Sequence, residues 1–407
     1  MTLLRKLIAC AVFCCILLSC SGCTAFSSLI PSNEQVSAAD PDTYKTEYKN
    51  NWLYNELDSN LQSCYGSMYT ALTDGFDKDT AVTLAGSQSE DEAVGITVVL
   101  PHSLANESEV KKLYTAFFYD NPQFFYIHNT YGLEGYEKDG RSFYNKLVFT
   151  YTMDADARKK AKDQLDRATE EILRGRPNTT DEYETELYLH ERLVAVCTYD
   201  DDAADAGFNT SPDAYTAYGA LVKGKAVCEG YSRAMQLLLS KAGIRSTLVI
   251  GESISSGEQH MWNMVSINGN TYHLDPTWND SDDLPRHNYF NITTAQLERS
   301  HRIADEQDGL VNCHATDDNY YHRNGLYFDT YSRQSIAQAI AARIKQGDTL
   351  IELLFAPDKY NNALLFLKSR AAVLEQTEPH LAGSGHSLWE YTLYSEANEC
   401  ILSIRKK

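Results

Sequence analysis

The run His260-Met261-Trp262-Asn263-Met264-Val265-Ser266-Ile267-Asn268-Gly269-Asn270-Thr271-Tyr272-His273-Leu274-Asp275 decides how this chain is read. Asn268-Gly269 is the strongest short hairpin signal, a two-residue turn whose central residues both take positive φ. The flanks are β-branched and aromatic, as strands require. With that turn Ile267 pairs with Asn270, Trp262 with Asp275 and His260 with Thr277. Side chains alternate between faces, so His260, Trp262, His273, Asp275 and Thr277 share one face. His260 and Asp275 become diagonal neighbours, close enough for an imidazole to meet a carboxylate. A three-residue turn would send Asp275 to the other face.

Upstream, Ala226-Val227-Cys228-Glu229-Gly230-Tyr231-Ser232 leads into a stretch from Glu229 to Lys241 with Leu and Met at helical spacing. Gly243 supplies its stop. Cys228 therefore falls at a helix N-terminus, where unsatisfied N–H groups carry partial positive charge. That charge favours thiolate, the nucleophilic form. Gly230 leaves room for close approach of backbone and substrate. A lone cysteine is more often a small buried apolar residue. The base and orienting acid on the hairpin turn the balance toward catalysis. In triad logic Cys228 attacks an amide carbonyl, His260 moves the proton, and Asp275 fixes the imidazole tautomer. The oxyanion would be held by the Cys228 N–H and a second donor. Tyr218 and Tyr215 are candidates for that donor, with core packing the equal alternative. Trp262 and Trp278 are candidate site walls, again with packing as the alternative. A metal site from Cys228, His260, His273 and Asp275 is the weaker reading, so no metal and no cofactor are expected.

These residues resemble a known family. Gly224-Lys225-Ala226-Val227-Cys228-Glu229-Gly230-Tyr231, His260-Met261-Trp262-Asn263 and Asp275-Pro276-Thr277-Trp278 are similar to the bacterial transglutaminase-like superfamily, which uses Cys, His and Asp at these motif centres. Asn288-Tyr289-Phe290 and His301 resemble its downstream region. The resemblance covers about residues 185–300. Asp120-Asn121-Pro122-Gln123-Phe124-Phe125-Tyr126 looks like a segment of exported clostridial members, and nothing in the C-terminal part resembles the family. The resemblance implies an α+β, papain-like core, with the cysteine helix packed on an antiparallel sheet bearing His and Asp. Met261 and Ser232 stand where many members carry alanine; neither is expected to matter.

The flanks are organised as follows. Arg5-Lys6, an apolar stretch from Leu7 to Leu18, and Ser19-Cys20-Ser21-Gly22-Cys23 read as a lipoprotein signal over 1–23, lipidated at Cys23 or alternatively Cys20. Residues 24–48 read as a flexible tether. An N-terminal α+β domain is expected over 49–177. It has helices at Ser108–Phe118 (capped by Ser108) and Ala155–Leu173, and strands at Phe124–Ile127 and Tyr144–Tyr151. The catalytic domain is expected over 178–305, with a helix at Glu184–Cys197 and a loop at Asp200–Asp213. A small C-terminal α+β domain is expected over 325–407. Its elements are a helix at Ser332–Lys345, a strand at Thr349–Phe355, a helix from Pro357 to Leu374, and a terminal strand pair.

The chain has 407 residues, 43% hydrophobic, with a net charge of −20. It lacks the Lys and Arg clusters that nucleic acid demands. Of ten cysteines, five lie in the signal. The other five are widely spaced with no CxxC, which disfavours a zinc ribbon. The expected function is a transglutaminase-like cysteine enzyme acting on protein or peptide amides at the outer face of the cell membrane, with cell-wall-associated substrates in reach. Hydrolysis is favoured over cross-linking. A non-catalytic binding module on the same fold is the alternative.

Overall fold

The computed structural model describes residues 50–82, 93–280, 286–305 and 307–407; Cys20, Cys23 and the tether lie outside the described residues. In the first unit, α1 (Ser59–Asp74) is capped by the Asp58 carboxylate and buries Leu61, Cys64, Tyr65, Met68 and Leu72 at helical spacing. Then come β1 (Thr80–Val82), β2 (Ala93–Leu104), α2 (Glu107–Asp120), β3 (Ile127–Lys138), β4 (Arg141–Tyr151) and α3 (Ala155–Arg174). The four strands form an antiparallel sheet in the order β1-β2-β4-β3. Asn106, not Ser108, caps α2, its side chain accepting from the Glu109 N–H. Phe124–Tyr126 is a turn rather than a strand. Pro122 bends the chain, and the N–H groups of Phe124 and Ile127 return to the carbonyls of Asn121 and Phe124. The aromatic run signals burial there, not extension. Phe124 packs on Tyr69 and Phe117.

The central unit contains α4 (Glu182–Val196), β5 (Thr198–Tyr199), α5 (Asp201–Ala206), β6 (Lys225–Ala226), α6 (Cys228–Ala242), β7 (Ser246–Ser253), β8 (Gln259–Ile267), β9 (Asn270–Leu274), α7 (Pro276–Asn279), α8 (Thr294–Leu297) and β10 (His301–Ile303). The expected loop at Asp200–Asp213 includes α5, because Asp200 caps an alanine-rich turn by accepting from the Ala203 N–H. The sheet runs β10-β7-β8-β9, antiparallel throughout. Helix α6 packs on β7 and β8. This is the expected α+β arrangement of a cysteine-bearing helix on an antiparallel sheet.

The hairpin register is as expected from Ile267↔Asn270 through Asn263↔Leu274. There the ladder stops. Asp275 caps α7, and Pro276 takes the first helical position, where its missing N–H costs nothing. The expected pairs Trp262 with Asp275 and His260 with Thr277 therefore do not form. The Asp275 N–H turns away to the Tyr289 carbonyl at 3.0 Å.

The third unit has α9 (Tyr320–Arg323), β11 (Tyr327–Phe328), α10 (Arg333–Gln346), β12 (Leu350–Phe355), α11 (Pro357–Lys368), α12 (Arg370–Leu381), β13 (Tyr391–Glu396) and β14 (Ile401–Lys406). The order is β11-β12-β14-β13, with only β11 and β12 parallel among its pairs. The helix expected from Pro357 to Leu374 breaks at Ser369, whose side chain starts α12 by accepting from the Ala372 N–H. Buried residues of all three units form one contiguous cluster. Among the described residues no helix is long and apolar enough to cross a membrane.

Candidate active site

Cys228 is the first residue of α6 and is buried. Its N-cap, Val227, has no side-chain acceptor and makes no capping hydrogen bond to the first turn. Gly230 is required by close approach: a Cβ there would lie 2.4 Å from the Ala214 carbonyl oxygen. Two contacts tie this turn to β8. The Ser232 hydroxyl lies 2.8 Å from the Cys228 carbonyl and 2.9 Å from the Met261 carbonyl, its one proton shared between them. The Asn263 amide donates to the Ser232 carbonyl at 2.9 Å. Ser232, expected to be inconsequential, thus joins the cysteine turn to the strand position beside His260.

His260 and Asp275 meet directly. Nε2 of the imidazole is 2.6 Å from Oδ2 of the carboxylate, and both groups are buried. Oδ1 accepts from the N–H groups of Thr277 and Trp278 at 2.9 and 3.1 Å. Oδ2 has a second partner, Nε2 of His301, at 3.2 Å. Burial alone would push the Asp275 carboxyl up; the imidazoles of His260 and His301 outweigh it and hold the group well below the usual carboxylate range. With Nε2 of His260 engaged, Nδ1 is the nitrogen left to serve a nucleophile.

The rings stack closely here because Gly251, paired with His260 across β7 and β8, has no side chain. A Cβ at Gly251 would come within 2.5 Å of the Trp262 ring. Trp262 is fully buried, its ring 5.9 Å from that of His260. Trp278 is half-buried, 5.5 Å from His260 and 4.1 Å from His301. Of the two expected wall residues, Trp278 is thus the one with an exposed face, and Trp262 lies in the core.

Tyr218 takes the packing role that was the alternative to an oxyanion donor. Its hydroxyl donates to Gln164 on α3 at 2.9 Å, and its ring stacks on Phe125 at 5.2 Å. A phenol has one proton, so this one is spent on packing between units. The Tyr215 hydroxyl donates to the Ala203 carbonyl at 3.2 Å.

His273 uses both nitrogens. Nδ1 accepts from the Trp262 indole at 3.2 Å and Nε2 meets Thr294 at 3.1 Å. Burial, helped by the nearby His301, pushes His273 down to about 3. This commits it to the sheet core and removes it from the weaker metal reading. His260, Asp275 and His301 do offer three ligand atoms within 4.8 Å of one another. Their N···O contacts of 2.6 and 3.2 Å are hydrogen-bonding distances, and the tighter one is too close for two ligands sharing an ion.

His301 is the site residue that local sequence reasoning passed over. It reaches Asp275 through the edge strand β10, 26 residues downstream. Only its place in the downstream resemblance hinted at it.

No curated protein matches this sequence. Among solved structures the chain is similar to a TGase, at 13% identity over 52% of this chain and 58% of that one, with a TM-score of 0.27. It is also similar to a candidate cysteine protease from Cytophaga hutchinsonii, at 13% identity over 37% and 63% of the two chains, TM-score 0.24. A third is a candidate protease from Parabacteroides distasonis, at 10% identity over 35% and 30%, TM-score 0.22. The chain thus spans less than two thirds of each of these proteins. Residues 167–276, which hold Cys228, His260 and Asp275, match the model of the transglutaminase-like superfamily.

Proposed function

We propose that this chain is a thiol enzyme that opens protein or peptide amide bonds through a thioester on Cys228. The observation that carries the reading is the 2.6 Å contact between Asp275 and His260, the latter on the strand to which the Cys228 turn is tied. The sulfur attacks the amide carbonyl carbon as its proton moves to His260 Nδ1. The tetrahedral oxyanion is held by the Cys228 N–H and a second donor. The C–N bond breaks, the amine leaves with the proton from His260, and a thioester remains. Water then attacks the thioester, His260 takes its proton, and carboxylate and free thiol are released. Asp275 holds the imidazole in one tautomer and steadies its cation.

An amine in place of water would give cross-linking from the same intermediate. Hydrolysis is favoured because the catalytic segment is short and the sequence shows no calcium loop. The signal-like residues 1–23 support a place at the outer face of the membrane, anchored by lipid on Cys23 or Cys20, with peptide or cell-wall-associated substrates and no cofactor.

The test is mass spectrometry of a peptide library incubated with wild type and Cys228→Ala. Cleavage, deamidation and amine incorporation each give a distinct mass change, and all should vanish in the variant. A library unchanged by the wild type, with Cys228 inert to thiol reagents, would favour the non-catalytic module.

A further inference from the structure

We propose that His301 is a positioning residue of this site: by donating Nε2–H to Asp275 Oδ2 it fixes the carboxylate that aims His260 at Cys228. The proposal rests on the reading of Cys228 as the nucleophile and adds a second histidine to it.

His301 is fully buried and sits on β10, two strands from His260 in the sheet. A carboxylate oxygen only accepts, so the 3.2 Å contact requires a proton on His301 Nε2. The other ring nitrogen, Nδ1, lies 2.8 Å from the Ser300 hydroxyl. With Nε2 protonated, Nδ1 of the neutral ring accepts from that hydroxyl. That hydroxyl also lies 3.3 Å from the Leu297 carbonyl, and of the two contacts for its one proton the shorter, to Nδ1, matches the tautomer that serves Asp275. Burial, ahead of every other influence, pushes His301 toward the neutral form, although Asp275 pulls the other way.

This matters for the chemistry. One carboxylate faces two imidazoles, and the mechanism needs His260 to become the cation. A neutral His301 adds a donor without a competing charge. Without it, Oδ2 keeps one imidazole partner, while Oδ1 stays tied to the α7 turn. The carboxylate then loses the contact that sets its tilt toward His260. The titratable groups around His301 are Asp275, His260, His273 and Tyr289. The remaining walls are the rings of Trp262 and Trp278.

The test uses the full chain, iodoacetamide as probe, and mass spectrometry of the Cys228 peptide alone. His301→Gln keeps an N–H donor near the position of Nε2; His301→Leu fills the space and donates nothing. Wild-type Cys228 should alkylate at pH values well below the ordinary thiol range of about 8.5. His301→Leu should move that onset upward and slow alkylation at pH 6 by about tenfold to a hundredfold, the scale of one lost hydrogen bond to a charged group. His301→Gln should recover most of both. If the leucine variant does not fold, His301→Asn replaces it, since its shorter amide falls short of Oδ2. Thermal midpoints separate the alternatives: a structural role would lower them without moving the onset. A leucine variant with wild-type onset and rate overturns the positioning role and leaves the Cys228 reading intact. A wild type that alkylates only in the ordinary thiol range sinks that reading, and the positioning role with it.

Discussion

Nδ1 of His287 lies 2.8 Å from Oε2 of Glu352, and the contact joins the loop behind Asp275 to strand β12 of the C-terminal unit. The ring also meets Glu191 at 3.3 Å and lies flat on Tyr320 at 3.7 Å. Neighbouring residues act alike: Arg286 pairs with Glu396, and the Tyr289 hydroxyl donates to Glu399. Because the Tyr289 carbonyl receives the Asp275 N–H, the C-terminal unit braces the loop on which the Asp275 carboxylate rests. Burial opposes the charge on His287, but Glu191 and Glu352 outweigh it and raise the group above the ordinary imidazole range. A raised histidine contributes stability that is complete below the unfolded value of about 6.5 and is lost as pH rises through the folded value. His287→Gln should therefore lower the thermal midpoint at pH 6, with the gap from wild type closing toward pH 9. A gap that stays constant would exclude the ionic contribution.

His273 should act in the opposite sense. Burial first, then His301, depress it to about 3, so its contribution is present above about 6.5 and is lost as pH falls toward 3. His273→Asn keeps an acceptor for the Trp262 indole and removes the titration. The variant should be less stable than wild type at pH 7, yet lose less of its thermal midpoint between pH 6.5 and 4. Equal acid slopes would assign the acid sensitivity to other groups, with His190 and His301 the next to examine, since burial depresses both.

Asp275→Asn should cost about 10³- to 10⁴-fold in kcat with KM little changed, the scale of a mis-set imidazole tautomer. The carboxylate has four donors around it, two backbone N–H groups and two imidazoles. An amide can face only one of these pairs with its oxygen, and donor then meets donor on the other side. Kinetics on whichever peptide the library identifies would check this. A loss under tenfold would mean that Asp275 does not set the ring.

Gly230 inside α6 and Gly243 at its C-cap separate stability from reactivity. At Gly230 an added Cβ meets the Ala214 carbonyl oxygen at 2.4 Å and Ala226 Cβ at 2.7 Å. The backbone must move, at a cost of about 1–3 kcal/mol, and the Cys228 turn moves with it. At Gly243 φ is +84° and nothing lies within 4 Å of the added atom. There the cost is left-handed strain alone, about 1 kcal/mol. Gly230→Ala should therefore slow Cys228 alkylation and lower the thermal midpoint, and Gly243→Ala should only lower the midpoint. Equal alkylation rates in both would detach Gly230 from the site.

The hairpin register and the start of α6 were legible because they rest on local chemistry. Asn268-Gly269 dictates a two-residue turn, and Gly243 at the far end of α6 takes the left-handed conformation that stops a helix. The strand end was not legible. Asp275 and Pro276 form a helix start that cuts the ladder short, and a pattern of alternating side chains does not register that competition. Composition also misled at Phe124–Tyr126, where the rings serve a turn packed into the core. His301 and the bracing residues Glu352, Glu396 and Glu399 were beyond reach for a different reason. They come to the site by strand pairing and unit docking across long stretches of chain, and no local spacing encodes such contacts. Tyr218 shows the same limit: its partners Gln164 and Phe125 belong to the N-terminal unit.

The most direct measurement is peptide mapping by mass spectrometry after acid quench of the wild-type chain turning over a peptide substrate. The account predicts an acyl group on Cys228, labile to hydroxylamine as a thioester is, absent from Cys228→Ala and His260→Ala. Turnover that persists in Cys228→Ala, or an acyl group found on another residue, would contradict it.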